Sequence, residues 1–196
     1  MKFQAQTLAV LLALATTACE SSVYSVTQDR LYSPARAHYA AGAKSLNTII
    51  RGNPFDSPQE LVNGLVIDEM RRGMRHVDTA LRRRPIFTID AAGDTAGDTR
   101  ADYLVAVALN PEPGTDAASL CADPRGVAVS QAAAPAGRIE ARMVFCFDGR
   151  VLSIAHCVVD GVLDPKDPGF RRLIATMTRA LFPFRGFRDG FDDSLI

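Results

Sequence analysis

The chain has 196 residues, 47% of them hydrophobic, enough to bury a real core within a single domain. Its 22 basic and 22 acidic residues cancel to a formal charge of zero at pH 7, which excludes a global field that gathers polyanions or membranes. Only three of the 22 basic residues are lysine, so positive charge here means guanidinium, the group suited to bidentate and interfacial pairing.

The N-terminus reads "MKFQAQTLAVLLALATTAC": Lys2, an apolar run from Leu8 to Ala15, then small residues up to Cys19. That order is the order of a secretory signal peptide, and the run is far shorter than the roughly 20 apolar residues of a membrane-spanning helix. Thr16, Thr17 and Ala18 before the cysteine resemble the lipobox of bacterial lipoproteins, although Thr16 stands where that family usually has Leu. The resemblance implies lipidation of Cys19. Glu20 lacks the aspartate that commonly holds such proteins at the inner membrane, which points to a periplasm-facing lipoprotein of the outer membrane. Ordinary cleavage near Ala18 with an unmodified cysteine is the alternative. The expected division is signal peptide 1–18, lipidated N-terminus and tether 19–38, and one domain 39–196. Export also removes nucleic acid as an ordinary partner.

Along the domain, "AKSLNTIIRGNPF" (43–55) predicts a short strand ending in a Gly-Asn-Pro turn. Ser57, Pro58 and Glu60 then form a capping box that opens a helix over 58–75. Leu61, Val62, Leu65 and Val66 share one side of it, with Asp68, Arg71, Arg72 and Arg75 opposite. Glu69 falls inside the apolar arc, which means either an irregular helix or a carboxylate held near the core by a partner. "RPIFTID" (84–90) and "DYLVAVALN" (102–110) read as strands, and residues 111–138 as a long Pro/Ala/Gly-rich loop of the kind that usually carries function or disorder.

Two further strands flank Asp148-Gly149, a strong hairpin signal. A two-residue turn there puts Ile139, Ala141, Met143, Phe145 and Phe147 on the core side with Leu152, Ile154, His156 and Val158. It puts Glu140, Arg142, Val144, Cys146, Val151, Ser153, Ala155 and Cys157 on the other. Asp167-Pro168 opens a second helix with an apolar stripe of Phe170, Leu173, Ile174, Met177 and Leu181, ended by Pro183. The fold class that follows is α+β: a mainly antiparallel sheet of about four to five strands with two helices packed on one face.

"IAHC" at 154–157 resembles the histidine motif of chymotrypsin-like proteases, but only Ser194 follows as a serine, without a glycine-rich loop to form an oxyanion hole. In the hairpin register Ser153 and Cys157 point away from His156, so neither converges with it. Asp160 shares the parity of His156 beyond the strand end and leaves a His156–Asp160 contact open. Of the cysteines after Cys19, the register holds Cys146 and Cys157 roughly 20 Å apart, too far to bond. Cys121, on the long loop, can fold back to one of them, and Cys146 is favoured over Cys157.

No CxxC, HExxH or Cys/His cluster occurs, so no metal or other cofactor is expected. Asp90, Asp94, Asp98 and Asp102 recur at four-residue intervals without matching a calcium loop. The arginine-rich stretch 71–84 (Arg71, Arg72, Arg75, Arg82, Arg83, Arg84) and the tail residues Phe184, Arg185, Phe187 and Arg188 are the candidate partner-binding residues. The solvated-face reading competes for the first, and packing back on the domain for the second.

The cysteine leader, "IIRGNPF", "LCADP", "FCFDG" and the "LFP" helix end together resemble a set of uncharacterised proteobacterial lipoproteins, a resemblance that implies no activity. The leading functional reading is a lipid-anchored cell-envelope protein acting as a binding or structural module. It would meet the membrane through its lipid and an envelope protein through its exposed residues, in an oligomeric state the sequence leaves open. The alternative is a small periplasmic hydrolase using His156 and Asp160.

Overall fold

The computed structural model describes residues 22–24, 32, 33, 36, 40, 45–76, 87–89, 99–130 and 135–183. Six strands, β1 (Ser22–Tyr24), β2 (Ser45–Arg51), β3 (Phe87–Ile89), β4 (Thr99–Leu109), β5 (Ile139–Phe147) and β6 (Arg150–Val159), form one sheet in the order β1-β6-β5-β4-β2-β3. β2 runs parallel to both β3 and β4, and every other pair is antiparallel. Helices α1 (Gln59–Gly73) and α3 (Pro168–Leu181) pack together on one face, α3 over β5 and β6 and α1 beside β3. The short α2 (Ala117–Ala122) packs on β4, β5 and β6 through a separate cluster of Ala106, Ala108, Leu120, Cys121, Val144 and Cys146. The α+β class with two helices on one face is therefore what the chain adopts.

α3 forms as its sequence requires. Asp167 caps it by accepting a hydrogen bond from the Gly169 N–H at 2.6 Å, and Pro168 occupies the first turn, where its missing N–H costs nothing. Phe170, Leu173, Ile174, Met177 and Leu181 are all fully buried. Their burial contributes on the order of 10 kcal/mol gross, before the entropy of ordering them.

α1 departs from expectation in two ways. Ser57 does not cap it; Pro58 holds the cap position, with no side-chain hydrogen bond. The preceding turn is organised instead by Asn53, whose Nδ2 donates to the Ser57 carbonyl at 2.6 Å and whose Oδ1 accepts from the Phe55 N–H at 3.1 Å. The buried face is also rotated: Val62, Val66, Ile67, Glu69, Met70 and Gly73 turn inward, while Leu61 is 39% exposed. Contact with α3 sets that rotation. A Cβ added at Gly73 would lie 2.6 Å from the Ala175 carbonyl oxygen and 2.8 Å from the Thr178 Cβ, so the two backbones meet where only glycine leaves room.

The β5–β6 hairpin forms at Asp148-Gly149, both with positive φ (50° and 68°), as its turn type demands. Pairing starts in the expected register, Phe147 opposite Arg150 and Cys146 opposite Val151, and then shifts by one residue at a bulge, so that Phe145 faces Ser153 and Met143 faces Ala155. Every later residue of β6 therefore lies on the opposite side from the predicted one. Ser153, Ala155 and Cys157 are buried in or against the helix-covered core, and Ile154 and His156 face away from it. The bulge has a partner to justify it: the Ser153 Oγ donates at 2.8 Å to the Leu181 carbonyl, one of the acceptors that the end of α3 leaves without an intrahelical bond.

Part of the segment read as a tether belongs to the domain. Ser22–Tyr24 pair with β6 as an edge strand, Tyr32 packs against the core, and the Arg36 guanidinium sits 5.5 Å from the Phe147 ring centroid. The loop after β4 is likewise structured where it is described. Asn110 donates from its N–H to the Glu140 carbonyl at 2.7 Å and accepts the Glu140 N–H on its side chain at 2.8 Å. Pro111 bridges to Val129, and Asp116 caps α2 by accepting the Ser119 N–H at 2.7 Å. Hydrogen bonding to Ser119 holds the Asp116 carboxyl below its ordinary range.

The loop folds back over the sheet, and Cys121 is bonded to Cys146, with 5.6 Å between Cα atoms. Cys157 is a free thiol, as the pairing requires. The bulge places it in the core with Phe145, not on the side away from it. Burial pushes its thiol pKa up, outweighing a contact to the Val158 carbonyl.

Two outcomes follow. Replacing Cys121 and Cys146 by serine is expected to lower unfolding free energy by roughly 3 kcal/mol, the loop-closure value for a separation of 25 residues, measured by urea denaturation; in the parent protein Cys157 should react with a thiol reagent only on unfolding. Gly73→Ala should cost about 2 kcal/mol or more by the same assay, whereas Gly64→Ala, with nothing within 4 Å of the added methyl, should stabilise by a few tenths up to about 1 kcal/mol.

Candidate functional site

His156 and Asp160 meet different partners. The His156 Nε2 lies 3.1 Å from Glu140 Oε1, which also accepts from Arg142 Nη2 at 3.0 Å and Nε at 3.2 Å. Arg142 in turn donates through Nη1 to the Thr115 carbonyl. Asp160 pairs with Arg138 at 3.1 Å, an exposed contact beyond the strand end. Ser153 and Cys157, the two nucleophile types nearest on β6, lie on the opposite face of the sheet. The expectation that neither converges with His156 therefore holds, although the two faces are exchanged. His156 is one member of a half-buried Glu140–Arg142 cluster that ties the loop before α2 to β5.

A different constellation lies on the outer side of the helix layer. Glu69, Arg72, Pro168, Arg171, Arg172, Ala175 and Arg179 line an open groove of about 350 Å³ between α1 and α3. Its floor follows from the close contact at Gly73, which brings α1 against the Ala175 turn of α3. Four guanidiniums surround one carboxylate, leaving an excess of three positive charges.

Glu69 is the residue that the periodicity marked as anomalous, and the reading of a carboxylate held by a partner is the one observed. Its side chain is only 5% exposed and accepts from Arg171 Nε at 2.6 Å, with Arg72 Nη1 at 3.3 Å. A buried carboxylate persists because charge-assisted hydrogen bonds replace its water. Arg171 binds it through Nε, and its two terminal nitrogens take no part in that bond. Arg179 donates to the Thr176 hydroxyl at 2.9 Å and, like Arg172, is exposed. Such a row of oriented guanidiniums can bind anions; it holds no hydroxyl or thiol nucleophile among its lining residues.

Of the candidate partner-binding residues read from the sequence, only Arg72 lines this groove among the described residues. Arg71 turns the other way, to Asp68 at 3.3 Å and the Phe87 carbonyl at 3.3 Å, and Arg75 is exposed. Arg82, Arg83, Arg84, Phe184, Arg185, Phe187, Arg188 and Cys19, with Asp90, Asp94 and Asp98, lie outside the described residues. Arg171, Arg172 and Arg179 were not anticipated. The signal was present, since they lie at i, i+1 and i+8 on the polar side of α3, but only the pairing with α1 converts them into a site. Among the described residues no three of His, Cys, Asp and Glu gather as a metal site, and no helix is long and apolar enough to cross a membrane.

No protein-family model matches this chain, and no curated protein matches it. Two solved structures are similar to it in outline, both described as PelC dodecamers from Paraburkholderia phytofirmans. One, a single-substitution variant, is 10% identical, with 83% of this chain and 95% of that one covered and a TM-score of 0.40. The other is 11% identical, with 83% and 96% covered and a TM-score of 0.43. Similarity at this level carries nothing about the activity or assembly of this chain.

The ion pair predicts an asymmetry. Arg171→Met should lower unfolding free energy by about 1–3 kcal/mol, because it leaves a buried carboxylate with one weaker partner. Arg172→Ala should change it by less than about 0.5 kcal/mol. Equal effects in urea denaturation would show that Glu69 does not depend on Arg171.

Proposed function

We propose that this protein is a lipid-anchored component of the bacterial cell envelope that works by binding rather than by catalysis. The observation that carries the binding half is the groove between α1 and α3, where a buried Glu69 orients Arg171 and Arg72 beside the exposed Arg172 and Arg179. Its chemistry is recognition of an anionic surface or ligand. The hydrolase reading on His156 and Asp160 gains no support, since His156 meets Glu140, Asp160 pairs with Arg138, and Ser153 and Cys157 lie on the opposite face of the sheet from His156.

The anchoring half rests on the leader and on Cys19. β1 begins three residues after that cysteine, so a lipid there would hold the folded sheet within about 11 Å of the acylated residue, the reach of an extended chain. Anchoring this short restrains the orientation of the domain at the bilayer, where a long tether would leave it free.

Cys19→Ser is expected to shift the protein from the envelope membrane fraction, because acylation would be its means of attachment. Fractionation of both forms by immunoblot checks this. Unchanged membrane association of the variant contradicts the lipid anchor.

A further inference from the structure

Three observations converge on the groove. The first is its charge: four guanidiniums against one carboxylate, with Arg172 making no ion pair among the described residues. The second is its length. Pro168, Arg171, Arg172, Ala175 and Arg179 form one stripe of α3, and Arg171 to Arg179 spans roughly 12 Å at helical rise. That is a row, longer than one small anion and suited to a surface that presents several. Ala175, the small residue at its middle, leaves the row open between its charged ends.

The third is its place in the molecule. Ser22 of β1 pairs with Val158, at the end of β6. The first turn of α3 packs at that same end: a Cβ added at Gly169 would lie 3.1 Å from Val162 Cγ2 and 3.8 Å from Val159 Cγ2. The chain thus leaves the sheet towards Cys19 from the end at which Arg171 and Arg172 stand. A lipid on Cys19 holds that end close to the bilayer, and α3 laid along the surface from there presents the whole row to the headgroups.

We infer that the groove binds the phosphate groups of anionic phospholipids in the membrane to which the protein is anchored. This deepens the binding reading and rests on the anchor for the geometry, though not for the chemistry. Guanidinium forks match phosphate oxygens, and basic side chains close to an anionic bilayer are attracted over a range set by the Debye length. Glu69 is a positioning residue: it fixes Arg171 and Arg72 at the floor of the row, while Arg172 and Arg179 meet the headgroups.

The test uses the full-length lipoprotein carrying Ala175→Cys, which places a thiol in the groove and keeps all four arginines. Cys121 and Cys146 are bonded and Cys157 is buried, so the new thiol is the reactive one among the described residues. The protein is mixed with vesicles of phosphatidylcholine alone or with added phosphatidylglycerol, and labelling by a membrane-impermeant maleimide is timed. Anionic vesicles should slow labelling on the order of 10-fold, and Arg172→Ala with Arg179→Ala should restore the rate. A thiol at Arg150→Cys, on the hairpin at the other end of β6, should label at the same rate with either vesicle.

Equal rates at position 175 with both vesicles, or protection that survives the double arginine variant, would overturn the proposal. Calorimetry with inorganic pyrophosphate on detergent-solubilised protein separates the two phosphate sources: binding there, without protection by vesicles, assigns the groove to a soluble phosphorylated ligand and overturns the lipid assignment. The mass of the N-terminal peptide reports acylation of Cys19 independently, so a failed anchor and a failed groove give different results.

Discussion

The contact between α1 and α3 is the constraint on which the rest of the molecule depends. Gly73 lets the helix backbones meet at Ala175 and Thr178, and the Glu69–Arg171 ion pair bonds the two helices about one turn earlier. Apolar packing does not by itself set the rotation of a helix about its own axis, because neighbouring arcs of α1 could each bury similar area. The glycine contact and the buried carboxylate select one. The rotation that buries Glu69 also turns Leu61 out to solvent and brings Arg72 to the same groove as the arginines of α3.

A second local event, the bulge in β6, decides what chemistry the sheet can hold. One extra residue at the turn end moves Ser153 and Cys157 into the core and His156 out of it. Ser153 then has its hydroxyl committed to the end of α3, and Cys157 is enclosed among apolar side chains with a raised pKa. A histidine between two nucleophile types along a strand is thereby reduced to a neighbour of Glu140 and Arg142. The core gains an acceptor satisfied at the helix end, which an unbulged strand would have left to water.

The opposite face of the sheet is closed by different means. Among the described residues the cover there is one short helix and a loop, too small to hold by apolar area alone. A disulfide to Cys146, the paired hydrogen bonds of Asn110 with Glu140 and the bond from Arg142 to Thr115 replace it. The molecule thus has a face held by packing, which bears the arginine groove, and a face held by cross-links, which bears the histidine cluster.

The sequence by itself determined the elements whose information is local. α3 was legible from its Asp167 cap and apolar stripe, the hairpin from Asp148-Gly149, and the absence of a Cys146–Cys157 bond from the distance the hairpin leaves between them, while the choice of Cys146 over Cys157 as the partner of Cys121 was favoured but left open until the fold placed the loop. Glu69 was legible as an anomaly, because a charge within an apolar arc must have a partner, but the partner, Arg171, lies 102 residues away. Only the tertiary structure decided the rotation of α1, the side of the sheet on which His156 lies and the assembly of the groove. Each of these turns on a single contact between distant segments: a backbone approach at Gly73, a hydroxyl reaching Leu181, an ion pair across two helices. Periodicity cannot report such contacts, because a shift of one residue in a strand, or a modest turn of a helix, leaves the pattern of residue types unchanged while exchanging the surfaces they form.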